Sequence, residues 1–362
     1  MDAFGGGLMG NCSKSPIAFR LVFLLLALVL LSACGNVKAS EAGNGLAAGK
    51  ASKEEKHSAE KNGAKAEVQT AGSTALRTEE VFDRKRFNDA LRIRYLHLTG
   101  KEVMGDSILI QTPDGKTMLI DAGLPAAGGQ VAAYAKKLGI ERIDIALNTH
   151  PHTDHIGGFA AVAYYLPIGE FYTGNLPYPG SQSYEKTFAA MEEKNVPIRY
   201  LEREDTFQLG NEVSFEVLSP PKGSLPGNVH PSDLPAVNSH SLVVKLNYKG
   251  QSFLFTGDIY KDREQELIQS MGDRLNALGM HVAHHGSTTS SSFAFMQAVK
   301  PQAAVISNNH FKNLDLLRLF DAQKTKVYIT EKHGNILITL DGKKMNVMTE
   351  KDWLDSPSFL KK

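Results

Sequence analysis

Between His150 and His155 the chain carries four side chains that bind divalent metals, in the order His150-Pro151-His152-Thr153-Asp154-His155. Residues 143–148 before them are apolar and β-branched, as a buried strand is, and Gly157-Gly158 provide a tight exit. In extended chain just past a strand, residues two apart project to one side, so His150 and His152 face the same point. Asp154 and His155 fall where the chain turns and face a second point nearby. Such an arrangement suits two ions side by side, imidazoles on one, a carboxylate and an imidazole on the other. The competing reading is a polar loop with ordinary surface histidines, but this order rarely arises without metal chemistry.

Two later stretches offer donors of the same kind. Phe253-Leu254-Phe255-Thr256-Gly257-Asp258 is a buried strand ending in a carboxylate. At the C-terminal edge of a strand Asp258 is aimed into a site, where one oxygen can serve each metal. A cap for a helix over 261–271 fits its backbone position but leaves the Thr-Gly-Asp order unexplained. Residues 280–287 form another strand, running into His284-His285-Gly286. Adjacent histidines at a strand end point in opposite directions, so one binds metal and the other lines the pocket. His284 is favoured as the ligand and His285 as the pocket acid or hydrogen-bond donor, with the reverse order as the alternative. His281 is read as packing on its strand. Ser287, Thr288 and Ser290 either contact phosphate oxygens or cap a helix over 292–299.

The His150–His155 order, Thr256-Gly257-Asp258 and Ala283-His284-His285-Gly286-Ser287 together resemble the signature of the metallo-β-lactamase-fold hydrolases. The likeness is strongest to the ComEC-type branch, the nuclease-like domain of competence DNA-uptake proteins, and to secreted phosphorylcholine esterases. It covers residues 92–342. The resemblance implies an α/β fold, an αβ/βα four-layer sandwich of two mixed sheets flanked by helices. It implies that Asp258 bridges the metals and that Asp121, in Asp121-Ala122-Gly123, supports the metal loop from behind; a turn-capping aspartate is the alternative. His240, in Asn238-Ser239-His240, stands where the ComEC-like branch has asparagine and the wider fold has a third histidine. It completes the set on the first metal or serves as a cap. Asn308-Asn309-His310 matches an asparagine and a histidine near the substrate, which makes His310 a second candidate proton donor. The family's Gly-Gln-Gly-Asp is replaced by Lys101-Glu102-Val103-Met104-Gly105-Asp106, where only Gly105-Asp106 survives.

The expected metal ligands are therefore His150, His152, Asp154, His155, His240, Asp258 and His284, and the expected catalytic residues are Asp154, His285 and His310. Imidazole and carboxylate donors without cysteine suit two Zn²⁺ ions, with Mn²⁺ or another divalent ion as the alternative. A hydroxide formed between the metals is the expected nucleophile, and His285 or His310 protonates the leaving oxygen. The resemblance points to phosphodiester hydrolysis. Another ester or lactone hydrolase of the same fold, and a non-catalytic lipoprotein that binds a ligand through its metal, are the other readings.

The elements that position these residues are legible in outline. Residues 92–98 read as a first strand, and 106–111 and 117–121 as a hairpin around Pro113-Asp114-Gly115. Helices are expected over 129–138, 159–165, 188–194, 261–271, 292–299 and 314–322. Strands are expected over 143–148, 168–173, 197–201, 207–218 (two, around Gly210-Asn211), 241–247, 252–256, 303–307, 327–330 and 335–340. Residues 175–184, with Tyr178 and Tyr184, are read as a loop near the mouth of the site. Residues 220–235, rich in proline and glycine, are a candidate rim. His230 and His333 are expected to be solvated.

Upstream, residues 21–31 form an unbroken apolar run, preceded by Lys14 and Arg20 and closed by Leu31-Ser32-Ala33-Cys34. A run this short reads as a signal peptide over 1–33, starting at Met1 or Met9, with a plain transmembrane anchor as the alternative. Leu-Ser-Ala-Cys resembles a bacterial lipoprotein cleavage box, which makes Cys34 a lipidated residue and the protein an extracytoplasmic, membrane-anchored one. Residues 34–88, poor in large apolar side chains, read as a flexible tether with a short helix within 78–91. The hydrolase domain is placed over 89–350 and a tail over 351–362. The only cysteines are Cys12 and Cys34, so neither a disulfide within the domain nor a cysteine nucleophile is available. Beyond residue 89 the chain has 28 Lys and Arg against 29 Asp and Glu. Such balance lacks the basic excess usual for a non-specific nucleic-acid binder, which lowers the nuclease reading; the expected substrate is a phosphodiester or other ester, with nucleic acid as a possible partner.

Overall fold

The computed structural model describes residues 77–227, 229–230 and 232–353. The expected signal segment, Cys34, the tether up to residue 76 and the tail beyond residue 353 lie outside the described residues. Among the described residues, no helix is long and apolar enough to cross a membrane.

The first sheet takes β1 (Leu91–Tyr95), β2 (Ile108–Gln111), β3 (Thr117–Ile120), β4 (Ile143–Leu147), β5 (Ile168–Thr173) and β6 (Ile198–Tyr200), and closes with β14 (Ile336–Leu340) and β15 (Met345–Thr349). Its order is β15-β14-β1-β2-β3-β4-β5-β6. The second sheet runs β13-β12-β11-β10-β9-β8-β7. Its strands are β7 (Thr206–Leu209), β8 (Val213–Ser219), β9 (Val243–Tyr248), β10 (Gln251–Phe255), β11 (Gly279–His281), β12 (Ala303–Ile306) and β13 (Lys326–Ile329). Each sheet joins an antiparallel part to a parallel part: β3, β4, β5 and β6 are parallel neighbours in one, and β10, β11, β12 and β13 in the other.

The alternation of side chains along each strand sorts the core into layers. Ile108, Ile110, Met118, Ile120, Ile145 and Leu147 from the first sheet meet Phe215, Leu246, Phe253 and Phe255 from the second. Leu109, Leu119 and Ala146 point the other way, onto the helices α1 (Gly128–Lys137), α3 (Phe159–Tyr165) and α4 (Gln182–Glu193), which follow the one-turn α2 (Thr153–Ile156) or precede it. Val243, Leu254, Met280 and Ala304 do the same toward α6 (Lys261–Met271), α7 (Phe293–Val299) and α8 (Leu314–Ala322), which lie beyond α5 (Leu234–Ser239). The expected four layers are present.

Several local expectations need revision. Helix α4 starts at residue 182, inside the expected loop, because the Ser181 side chain caps it by accepting from the Tyr184 amide. Strand β15 was not anticipated; its residues are all half-buried at a sheet edge, which mutes the apolar alternation. His333 is buried rather than solvated, because the short α9 (Thr330–His333) folds it back to accept from the Ile329 amide at 2.9 Å. Packing also begins before residue 89: Val81 and Phe82 are in the core, with Phe82 stacked on Tyr134.

Candidate metal centre

The centre forms where strand ends of both sheets meet. Thr149, just after β4, accepts at its carbonyl from the Leu242 amide at the start of β9, and Gly257, after β10, accepts from the His284 amide. The loops are thus stitched across the two sheets. Gly105 closes the same corner: a Cβ there would fall 1.7 Å from the Asp154 carbonyl oxygen, and its φ is +83°. No other residue type fits at that approach.

Asp258 is the hub. Its Oδ2 lies 3.9 Å from His150 Nε2, 3.3 Å from His155 Nε2, 3.6 Å from His285 Nε2 and 4.0 Å from His284 Nε2. His150 Nε2 is also 3.1 Å from His152 Nδ1, and Asp154 Oδ2 is 3.2 Å from His285 Nε2 and 3.9 Å from His155 Nε2. The donors fall into two overlapping groups: His150 and His152 on one side, Asp154, His155 and His285 on the other, with Asp258 common to both.

The far nitrogens explain why the near ones are lone-pair donors. His155 Nδ1 donates to Asp121 Oδ2 at 2.8 Å. The Thr149 hydroxyl donates to that same carboxylate at 2.7 Å and so receives the His150 Nδ1 proton across 3.0 Å. His285 Nδ1 donates to the Ser307 carbonyl at 3.1 Å. With the proton on Nδ1, each Nε2 presents a lone pair. Among the described residues His155 Nε2 and Asp258 Oδ1 are buried without a hydrogen-bond partner. Divalent cations match this donor set.

Charge pulls the titrations apart. Burial pushes the His155 imidazole down, but Asp258, Asp154 and Asp121 outweigh it and hold it well above its ordinary range. His285 behaves alike under Asp258 and Asp106. Burial pushes Asp258 up, and His155 and His285 more than reverse it. His150 is held well below its ordinary range by burial and then by His155. Any second proton that the carboxylates draw to His155 or His285 would sit on Nε2, where a divalent cation would displace it.

Of the residues expected from sequence, the structure brings together His150, His152, Asp154, His155, Asp258, His284 and His285. It reverses the order within the histidine pair. His285 is the deep member, its side chain 9% exposed, while His284 is 25% exposed and ties its Nδ1 to Thr289 Oγ1 at 2.6 Å. The pair does not simply alternate, since both residues have φ of 51° and the chain is no longer a strand there. His240 is not brought in: it follows the last turn of α5, and its Nδ1 meets the Ala236 carbonyl at 2.6 Å. Asn238, two residues earlier, lines the cavity instead. His310 is exposed and its Nε2 meets the Lys101 carbonyl at 3.2 Å, outside the cavity lining. Asp106 and His281, both buried behind the centre, were missed; the surviving Gly105-Asp106 pair was the only signal.

The centre opens into a cavity of about 450 Å³ lined by His152, Thr153, Asp154, Asp258 and His284 together with Tyr178, Leu234, Asn238 and Tyr260. Tyr178 meets the His152 ring edge-on, and Tyr260 stacks on His284. None of the described lining residues is a lysine or arginine.

Residues 100–310 match the family model described as the metallo-beta-lactamase superfamily. The chain is 29% identical over 203 residues to ComE operon protein 3 of Bacillus subtilis, covering 55% of this chain and 25% of that protein. It is 30% identical over 207 residues to competence protein ComA of Neisseria gonorrhoeae, covering 57% and 26%. It thus spans about a quarter of the length of these relatives. Among solved structures, CmlA, a diiron beta-hydroxylase from Streptomyces venezuelae, aligns at 13% identity with a TM-score of 0.39, over 59% of this chain and 44% of that one.

Proposed function

The chain belongs to the metallo-beta-lactamase superfamily, and from that premise we propose that it is a two-metal phosphodiesterase acting on a small diester. The observation that carries this reading is the sharing of Asp258 Oδ2 between two sets of donors, the layout of enzymes that clamp the attacking and leaving oxygens of a phosphoryl group between two ions.

His150, His152 and Asp258 would hold one cation, and Asp154, His155, His285 and Asp258 the other; Zn²⁺ suits these donors best. When bound, such cations activate a water for attack and neutralise the charge that develops on the ester. The chain's own residues do the rest. Asp121 and Ser307 keep protons on the far nitrogens, so the near ones stay donors. Tyr178 and Tyr260 wall the cavity, exclude water and orient the ester groups. His284, at the cavity mouth, would accept the Thr289 hydroxyl at Nδ1 and so carry its proton on Nε2, from which it would donate a hydrogen bond to the leaving oxygen. Burial holds its imidazole below the ordinary value, which favours this neutral form.

The absence of any lysine or arginine from the cavity lining disfavours a long polyanion and supports a second reading, a small neutral ester or lactone. We also read Leu31-Ser32-Ala33-Cys34 as a lipid anchor that places the domain on the outer face of the membrane. Radiolabelled palmitate incorporation that persists in Cys34→Ser protein would overturn that placement.

The functional test is turnover of bis(p-nitrophenyl) phosphate by zinc-loaded protein, set beside a p-nitrophenyl ester, a lactone and single-stranded DNA. Diester turnover abolished by chelation and by Asp258→Ala is expected. Turnover of the lactone alone would select the second reading, and metal-dependent ligand binding without turnover of any ester would make the protein a binding module.

A further inference from the structure

Behind the cation-facing nitrogens lies a further buried carboxylate. Asp106 is 1% exposed; its Oδ2 stands 3.0 Å from His281 Nε2 and 3.9 Å from His155 Nδ1, and its Oδ1 is 3.4 Å from His285 Nδ1. Among the described residues neither Asp106 oxygen nor His281 Nε2 makes an aligned hydrogen bond, so their 3.0 Å approach is an electrostatic contact. The three imidazoles are its polar surroundings. One of them, His155 Nδ1, is already held by Asp121 at 2.8 Å. A second, His285, sits in a turn where His284, His285 and Gly286 have φ of 51°, 51° and 77°. Backbone in that region persists only when its surroundings hold it. The third, His281, ends β11 immediately before that turn, is 2% exposed, and packs its ring 5.9 Å from that of Tyr95.

We propose that His281 is a positioning residue of the metal centre: by drawing in Oδ2 of Asp106 it holds Oδ1 beside His285 Nδ1, a second anchor next to the Ser307 carbonyl on the ring whose Nε2 faces the second cation. The inference rests on the two-cation reading above. Asp106 is one bond rotation from a different partner. With an apolar side chain at 281, its carboxylate turns about Cβ–Cγ toward His155 Nδ1 and competes there with Asp121. Both imidazoles of the second cation position are then held less firmly, whereas His150, bonded to Thr149, and His152, against Tyr178, are untouched.

The test is Zn²⁺ titration of the full chain against a chromophoric chelator, with melting of the metal-free protein measured alongside. Wild-type protein takes up two zinc ions. His281→Leu is expected to hold the first at wild-type affinity and the second about 10–100-fold more weakly. His281→Gln, whose amide nitrogen can donate from nearly the same place, is expected to recover the second ion. Unchanged affinity for both ions in His281→Leu overturns the proposal, and so does equal weakening of both, which would mean a general loosening of the fold. If His281→Leu does not fold, His281→Gln decides: a retained second ion supports the proposal and a lost one overturns it. Wild-type protein that binds no zinc overturns the two-cation reading itself, an outcome distinct from any difference between variants.

Discussion

Asp121 Oδ2 takes the Nδ1 proton of His155 across 2.8 Å, and the same carboxylate receives the Thr149 amide at 2.8 Å and the Thr149 hydroxyl at 2.7 Å. One buried side chain therefore sets the tautomer of His155 directly and of His150 through Thr149. Because Asp121 has φ of 54°, a conformation asparagine also tolerates, Asp121→Asn isolates the lost charge from backbone strain. Zinc affinity should fall about 10–100-fold, with turnover falling alongside. Chelator competition measures the first, and an unchanged dissociation constant would sink the assigned role.

Stability of the metal-free protein should depend on pH in two arms. His155 and His285 are raised well above 6.5, so their contribution is full below pH 6.5 and lost as pH rises through their folded values. His150, His152 and His284 are lowered from 6.5, so theirs is full above 6.5 and lost as pH falls. Melting temperature without metal should peak near neutrality and decline on the alkaline side. Zinc-loaded protein should gain stability over that same alkaline interval, because protons no longer compete for the imidazoles. Parallel melting curves with and without zinc from pH 6 to 9 would contradict this.

The assignments within the cavity can be separated by three alanine variants. His240→Ala and His310→Ala should leave turnover within about threefold of wild type, since neither ring reaches the cavity. Asn238→Ala, which alters the lining, should raise KM. A large loss of zinc in His240→Ala would restore the ligand role expected from sequence.

Gly105→Ala should strain both the loop before β2 and the metal loop, because its Cβ would collide with the Asp154 carbonyl oxygen. A loss of at least about 1–3 kcal/mol is expected from the positive φ alone. Urea unfolding of the metal-free variant measures it, and a wild-type midpoint would show that the approach relaxes freely.

How far the sequence reaches is visible in individual residues. His150, His152, Asp154 and His155 are close in the chain, so their convergence follows from strand-end geometry. Asp258 follows a strand apolar enough to be unmistakable, and α6 and α8 begin and end where their apolar periodicity does. The layered fold was legible because each strand alternates between two cores.

What the sequence could not decide were relations between segments distant in the chain. Whether His284 or His285 faces inward depends on two consecutive left-handed residues, a conformation that neither local propensity nor strand alternation anticipates. His240 belonged by its resemblance to the wider fold's third histidine, yet the turn of α5 swings it onto Ala236, and Asn238 lines the cavity instead. Asp106 and His281 lie 175 positions apart and meet only because β2 and β11, from opposite sheets, bring their ends to one point. Donor types are a property of the chain; their orientation is set by packing, which hydrogen-bonds the far side of each ring.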